Sequence, residues 1–355
     1  MKFIARKSLL AIAAGMTLAS SAFAQTAPSV TMYGRLDLAV ESANDGALTK
    51  TMLQNFASRF GIKGDRSFNK DLTGIFQVET GIAPDDTAQS KSFASRNSFV
   101  GLKSNSFGTF LAGTYDNPLK SLDAGGYVGT LYGEGEAMEV IIHGKGTKTA
   151  GSNFDNVHTR QTNNLVYISP KFSDIVVKAS YSPDEAQTTT TNQPLYSVSG
   201  EWNNGTYNFG LALQKKDVAD KAFGMSATKV TMGAKMGDFT AGLAFSALDN
   251  NAPLAANARK TSNSLVVLGY TMGATVFKFN YGMSGESASN AQDDLTMTSV
   301  EVAYVLDKQT TLYTNYAQIM NNAKAKGELA GSDSKVVPAL GNDPTALTFG
   351  IRYNF

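Results

Sequence analysis

The sequence predicts an all-β chain of sixteen antiparallel strands closed into a transmembrane barrel, with one connection, 116–159, far longer than the rest. Three observations predict it. Apolar and polar residues alternate along short segments from one end of the chain to the other. The connections between these segments are alternately tight and long. No stretch after the first 24 residues is apolar for the eighteen or so positions that a membrane helix needs.

The alternation is plainest at the C-terminus, in "LTFGIRYNF". Leu347, Phe349, Ile351, Tyr353 and Phe355 fall on one face, and Thr348, Gly350, Arg352 and Asn354 on the other. A period of two is that of a β-strand with one apolar and one wet side. In "VTMYGRLDLAVE", Val30, Met32, Leu36, Leu38 and Val40 oppose Thr31, Tyr33, Arg35, Asp37 and Glu41. "TVFKFNYG" and "TSVEVAYV" repeat the split, with Phe277, Phe279 and Tyr281 against Lys278 and Asn280, and Val300 and Val302 against Ser299 and Glu301. Charged groups facing a packed core would be costly, whereas a water-filled lumen accepts them. The polar face therefore points to a flooded interior and the apolar face to lipid.

Sixteen such segments are predicted: 30–41, 52–63, 73–82, 93–103, 108–115, 160–169, 175–181, 196–202, 206–214, 229–235, 239–248, 264–272, 274–284, 296–305, 310–318 and 344–355. The tight connections include 104–107, 170–174, 203–205, 236–238 and 306–309. The long ones are 42–51, 83–92, 116–159, 182–195, 215–228, 249–263, 285–295 and 319–343. Short turns on one side and long loops on the other are the asymmetry of an outer-membrane barrel, which needs an even number of strands. Its first and last strands must pair, because lipid offers no water to an unpaired edge. The closing strand is thus expected to end at Phe355, with its ring in the interfacial girdle.

The N-terminus supplies the compartment. Lys2, Arg6 and Lys7 precede an apolar run from Leu9 to Leu18 and then "SSAFAQ", the pattern of an export signal cut between Ala24 and Gln25. Residues 25–355 are then the barrel. Removing three basic residues from 31 leaves 28 against 30 acidic, a formal charge of −2 that suggests no nucleic-acid partner. There is no cysteine, so backbone pairing and packing alone hold the exported chain.

The segments "SVTMYGRLDLAV", "ASRFGIKGDRSF", "IFQVETG", "SRNSFVGLKSNSFGTFLAGTYDNP", "RQTNNLVYISPKF" and "LTFGIRYNF" resemble the trimeric porins of Gram-negative outer membranes, most closely those of β-proteobacteria. The resemblance implies a sixteen-stranded barrel, a homotrimer in outer-membrane lipid, and a third loop folded into the lumen to narrow it. It implies passive diffusion of ions and small hydrophilic solutes, with no cofactor. Residues 116–159 resemble that loop in position and length, although the "PEFGG" motif of enterobacterial members is absent and "GEGEAMEV" stands nearby instead.

Pores of this type select by charged side chains across a narrow point. Arg35, Arg59 and Arg96 fall on the polar side of early strands, and Lys63 shares a face with Arg59. The long loop carries Asp116, Asp123, Glu134, Glu136, Glu139 and Asp155 against Lys120, Lys145 and Lys148. Arg35, Arg59, Lys63, Arg96, Asp123, Glu134, Glu136 and Glu139 are the candidate constriction residues, a basic wall facing an acidic loop. The alternative is that the arginines pair with neighbours such as Asp37 and Glu79 to hold the wall. Resemblance and arginine wall together lean towards anions. Trp202 reads as an interfacial anchor, and "GDRSFNKD" as a periplasmic turn.

Enzymatic and metal chemistry find little support. His143 and His158 are the two histidines, both in the long loop and without a nucleophile motif around them. Two histidines fifteen apart, in a chain without cysteine, make a weak case for zinc. A solute-specific channel would show an aromatic ladder or a dense basic lining, and Tyr33, Tyr115 and Tyr313 are scattered. An occluded barrel serving as adhesin or anchor is the reading from another class.

Overall fold

The computed structural model describes residues 28–86, 92–123, 126, 131–144, 147–148, 160–216, 225–249, 260–287, 291–329 and 336–355. The expected leader and its cut after Ala24 lie outside them, as do Asp155, His158 and Lys145 of the long loop.

Sixteen strands form one closed antiparallel ring. They are β1 Ser29–Asn44, β2 in two pieces (Thr49–Asn55 and Arg59–Ser67), β3 Leu72–Gly81, β4 Ser98–Ser104, β5 Gly108–Asp116, β6 Arg160–Ile168, β7 Ile175–Ser182 and β8 Leu195–Asn203. The second half is β9 Tyr207–Lys216, β10 Met225–Met236, β11 Phe239–Asp249, β12 Lys260–Met272, β13 Thr275–Ser284, β14 Leu295–Val305, β15 Thr310–Asn321 and β16 Thr345–Asn354. Each pairs with its neighbours in the chain, and β1 pairs with β16 from Arg35↔Asn354 to Asn44↔Thr345. The seam continues to the final residue, where Phe355 N–H donates to the Gly34 carbonyl at 3.1 Å and Gly34 N–H to that of Phe355 at 2.9 Å. No sheet edge remains, as hydrocarbon demands.

The predicted faces are those observed. Leu347, Phe349, Ile351, Tyr353 and Phe355 are all exposed on the outer surface, while Thr348 between them is fully buried. Outer aromatic rings pair near the tight turns, Phe239 with Tyr270 at 4.6 Å and Phe110 with Tyr167 at 4.8 Å between centroids. Trp202 is on this face, one residue before the end of β8. The tight turns are locked by short polar side chains: Asn69 Oδ1 accepts from the N–H groups of Asp71 and Leu72, and Ser104 and Ser106 donate to the Asp71 carboxylate. Those hydrogen bonds hold the exposed Asp71 carboxyl below its ordinary range.

Three local expectations are corrected. The first connection is a four-residue turn, 45–48, because Asn44 and Asp45 side chains accept from the N–H groups of Gly46, Ala47 and Leu48 and the ladder runs on to Asn44↔Thr49. β4 starts at Ser98, not at 93: Ala94 has φ of 59°, and Phe93 is 82 % exposed. β2 is interrupted at 56–58, where Ala57 has φ of 60° and Asp37 N–H turns to the Ser58 hydroxyl at 2.9 Å. Its pairing with β1 slips there by one residue, from Leu38↔Asn55 to Arg35↔Arg59. This is a β-bulge, and it re-aims every side chain beyond it.

Gly34 is where closure is tightest on the outside. A Cβ there would lie 2.3 Å from Cζ of the Phe355 ring. Replacing Gly34 by leucine should therefore destabilise the seam by about 1–3 kcal/mol, as overpacking does, and lower the temperature at which the barrel loses its compact gel mobility. Adding Phe355→Ala should recover part of that loss.

Candidate functional site

The connection after β5 does not stay outside the barrel; it lies against the inner wall on two apolar feet. The first is Leu119 and Leu122, packed on Ala212 of β9, Met225 and Ala227 of β10 and Leu248 of β11. The second contains a 3-10 turn, Gly133–Gly135, and a π-helical turn, Met138–Ile142. Here Ala137, Met138 and Val140 to Ile142 pack on Ala244 of β11, Leu265 and Val267 of β12, Met297 of β14 and Ile319 of β15. Each large side chain removed from water in this way contributes about 1.5–3 kcal/mol. The inner wall is therefore wet on one side only.

Polar groups of the wall satisfy the main chain of the docked loop, which has no secondary structure long enough to satisfy itself. Ser246 Oγ donates to the Ile142 carbonyl at 2.7 Å, Asn280 Nδ2 to that of Gly135 at 3.0 Å and Asn315 Nδ2 to that of Tyr132 at 2.6 Å. Tyr132 N–H donates to the Glu301 carboxylate. The Tyr132 ring is in contact with two cations, the Arg352 guanidinium 4.1 Å and the Lys278 ammonium 4.9 Å from its centroid. It also lies 4.9 Å from the Tyr313 ring.

The strands left uncovered carry the arginines. The bulge in β2 sets Arg59 directly opposite Arg35 on β1. Like charges opposite one another weaken a sheet, so this register exists at the expense of the wall. Glu79 of β3, 7 % exposed, accepts from Arg96 Nε at 2.5 Å and from the Tyr33 hydroxyl at 3.0 Å, with Arg59 Nε at 4.0 Å. Arg352 of β16 holds the fully buried Asp37 through Nε at 2.6 Å, and the Tyr313 hydroxyl donates to the same carboxylate at 2.8 Å. Arg35 donates to Asn354 Oδ1 at 3.0 Å and forms no ion pair among the described residues. Arg35 feels Arg59 and Arg352, and Arg59 feels Arg96 and Arg352. Four guanidinium groups thus share one patch with two buried carboxylates, Asp37 and Glu79.

The remaining candidates are dispersed. Arg96 is in the connection before β4 and not on a strand; its N–H donates to the Glu79 carbonyl at 3.0 Å, which keeps it beside Arg59. Lys63 is exposed further along β2, 5.2 Å from the Tyr33 ring. Asp123 reaches Lys229 of β10 at 3.3 Å. Glu134 is buried in the 3-10 turn, and Glu136 and Glu139 are half-buried along the loop. Asp116 is engaged at the loop's root by Lys120 and Arg160, each at 3.2 Å. Arg352, Tyr132, Lys278 and Lys229 were not singled out from sequence. Arg352 had a readable signal: it is on the wet face of the closing strand, opposite Asp37 once β1 and β16 are paired.

Comparison with known proteins agrees with this architecture. A family model described as Gram-negative porin matches residues 9–324. The chain is 26% identical to outer membrane porin protein 32 of Delftia acidovorans over 99% of its own length and 100% of that protein's. It is 34% identical to major outer membrane protein P.IB of Neisseria gonorrhoeae, over about a third of each, 34%. Among solved structures, the anion-selective porin from Comamonas acidovorans superposes with a TM-score of 0.75 at 22% identity, over 93% of this chain and 100% of that one. The trimer form of OmpT from Vibrio cholerae superposes with a TM-score of 0.69 at 17% identity, over 93% and 100%. The chain belongs to the Gram-negative porin family, and it is an outer-membrane channel for passive diffusion and not an enzyme.

Proposed function

We propose that the narrow part of this channel passes small hydrophilic anions in preference to cations. One observation carries the reading: Arg35, Arg59, Arg96 and Arg352 gather on the uncovered wall with Asp37 and Glu79 as their only carboxylate partners among the described residues. A surplus of fixed positive charge at a constriction, next to low-dielectric walls, concentrates anions there. The exposed Lys63 extends the basic strip along β2. Asp123 is drawn away to Lys229, and at the border of the patch, around the Tyr132 ring that Arg352 also touches, Lys278 and Glu301 pair with each other at 3.4 Å. Glu134, Glu136 and Glu139 are the loop's acidic share of the transverse field. The similar porin from Comamonas acidovorans, described as anion-selective, supports the same sign.

We further propose a homotrimer embedded in outer-membrane lipid, with residues 1–24 as its export leader. A trimer form of the similar OmpT supports the first. The outer face contributes an apolar hollow lined by Val100, Leu102, Phe110, Ala112, Tyr167 and Tyr181, a surface that another subunit's strands can cover. Mature protein taken from membranes should begin at Gln25 by N-terminal sequencing, and a start at Met1 would remove the leader.

Selectivity is tested by reversal potentials across a planar bilayer in a salt gradient. Wild type should favour chloride over potassium, and Arg35→Gln should lower the anion-to-cation permeability ratio about threefold, as loss of one desolvated charge at a constriction predicts. An unchanged ratio in Arg59→Ala would take Arg59 out of the selectivity patch. Tyr132→Ala removes two cation–π contacts of about 0.5–1 kcal/mol each while leaving the loop's main-chain bonds. Its single-channel conductance should rise with the barrel intact.

A further inference from the structure

The two feet of the loop meet at one side chain of the wall. Lys229 on β10 is wholly buried, and its ammonium reaches three acceptors, all on the loop. They are the Leu119 carbonyl at 3.2 Å, Asp123 Oδ1 at 3.3 Å and His143 Nε2 at 2.8 Å. An ammonium has three N–H bonds and no lone pair, so each proton has one acceptor and none is left over. His143 must then accept at Nε2 and carry its own proton on Nδ1. Leu119 and Asp123 open the docked segment, and His143 closes it just after the π-helical turn.

A buried charge is tolerated only while it is paired and hydrogen-bonded. Among the described residues every partner of Lys229 comes from the loop and none from its own strand or the neighbouring ones, so the docked loop, which takes water away from this cation, must itself supply the acceptors that replace it. The loop, in turn, has acceptors from both of its feet converging on one point of β10. Apolar packing alone could let either foot slide along the wall; a three-fold satisfied ammonium could not.

We propose that Lys229 is a positioning residue of the channel: it clips both feet of the constriction loop to β10 and so fixes the distance between the loop and the arginine patch. It touches no permeating solute and acts through Leu119, Asp123 and His143. The inference rests on the reading of the barrel as an open diffusion channel narrowed by this loop.

The test compares wild type, Lys229→Met and Lys229→Cys in planar bilayers. The chain has no cysteine, so K229C introduces a unique thiol. Aminoethylating that thiol in the unfolded chain before refolding rebuilds an ammonium on a side chain of lysine's length. With barrel folding checked by circular dichroism and gel mobility, open-channel current noise and partial closures should rise about threefold in K229M, as loss of the buried ammonium that holds the loop's acceptors predicts. Aminoethylated K229C should return to wild-type noise, and the unmodified variant should not. His143→Leu leaves the barrel wall untouched and should reproduce the noise of K229M while adding little to it in the double variant. Wild-type noise and conductance in folded K229M would overturn the proposal, and so would noise that aminoethylation leaves high. Should K229M fail to fold, wild-type noise in His143→Leu would overturn it instead. A wild-type protein that opens no conductance steps would sink the channel reading itself, a result distinct from any of these.

Discussion

The structure depends on the requirement that every peptide group within hydrocarbon find a partner in the protein. Water is absent there, and an unpaired amide or carbonyl costs several kcal/mol. A sheet meets the requirement only by becoming a ring, so the pairing of β1 with β16 decides whether the other strands can exist in a membrane at all. Side-chain alternation follows from the same geometry. With one face of every strand turned to lipid, the opposite face is turned to the lumen, and the chemistry of the lumen is set by whatever residues stand on it.

What stands there is not uniform. From β9 to β15 the inner face carries Ala212, Ala227, Ala244, Leu265, Met297 and Ile319, a shelf that would be unfavourable against water and is covered by the loop. From β1 to β3, with β16, the inner face carries arginines and buried carboxylates. The loop is thus drawn to one side by desolvation of apolar surface, and the charged side remains open to the pore. The asymmetry of the channel arises from which half of the wall is greasy, before any contact between loop and arginines is considered.

Much of this was legible in the sequence because a strict period of two is a strong signal over sixteen segments. Leu347 to Phe355 and Val30 to Glu41 show their faces without any structure. What sequence missed has particular causes. The bulge at 56–58 is built by Ser58 and a left-handed Ala57, neither of which marks a bulge on its own, and it alone decides that Arg59 faces Arg35. The short first turn was hidden because Asn44, Asp45 and Gly46 look the same whether they open a long loop or close a tight one. "MEVII" could be a lumen strand or a docked turn, since periodicity in five residues does not separate the two. Tyr132 escaped because attention to charge passes over an aromatic ring, although such a ring is what two neighbouring cations can grip. Glu79 and Asp37 were foreseen as wall-holding partners, and they do hold Arg96 and Arg352; neutralising wall pairs and a net basic patch turn out to coexist.

Arg352 is contributed by the last strand, and the carboxylate that orients it, Asp37, by the first. Tyr313, which completes that contact, comes from the strand before last. This cluster of guanidinium, carboxylate and phenol is consequently stitched together from opposite ends of the polypeptide and comes into being in the same event that zips the cylinder shut. An incompletely assembled molecule therefore lacks both a sealed exterior and the partners that orient this guanidinium, so the charge arrangement of the lumen is acquired only on closure.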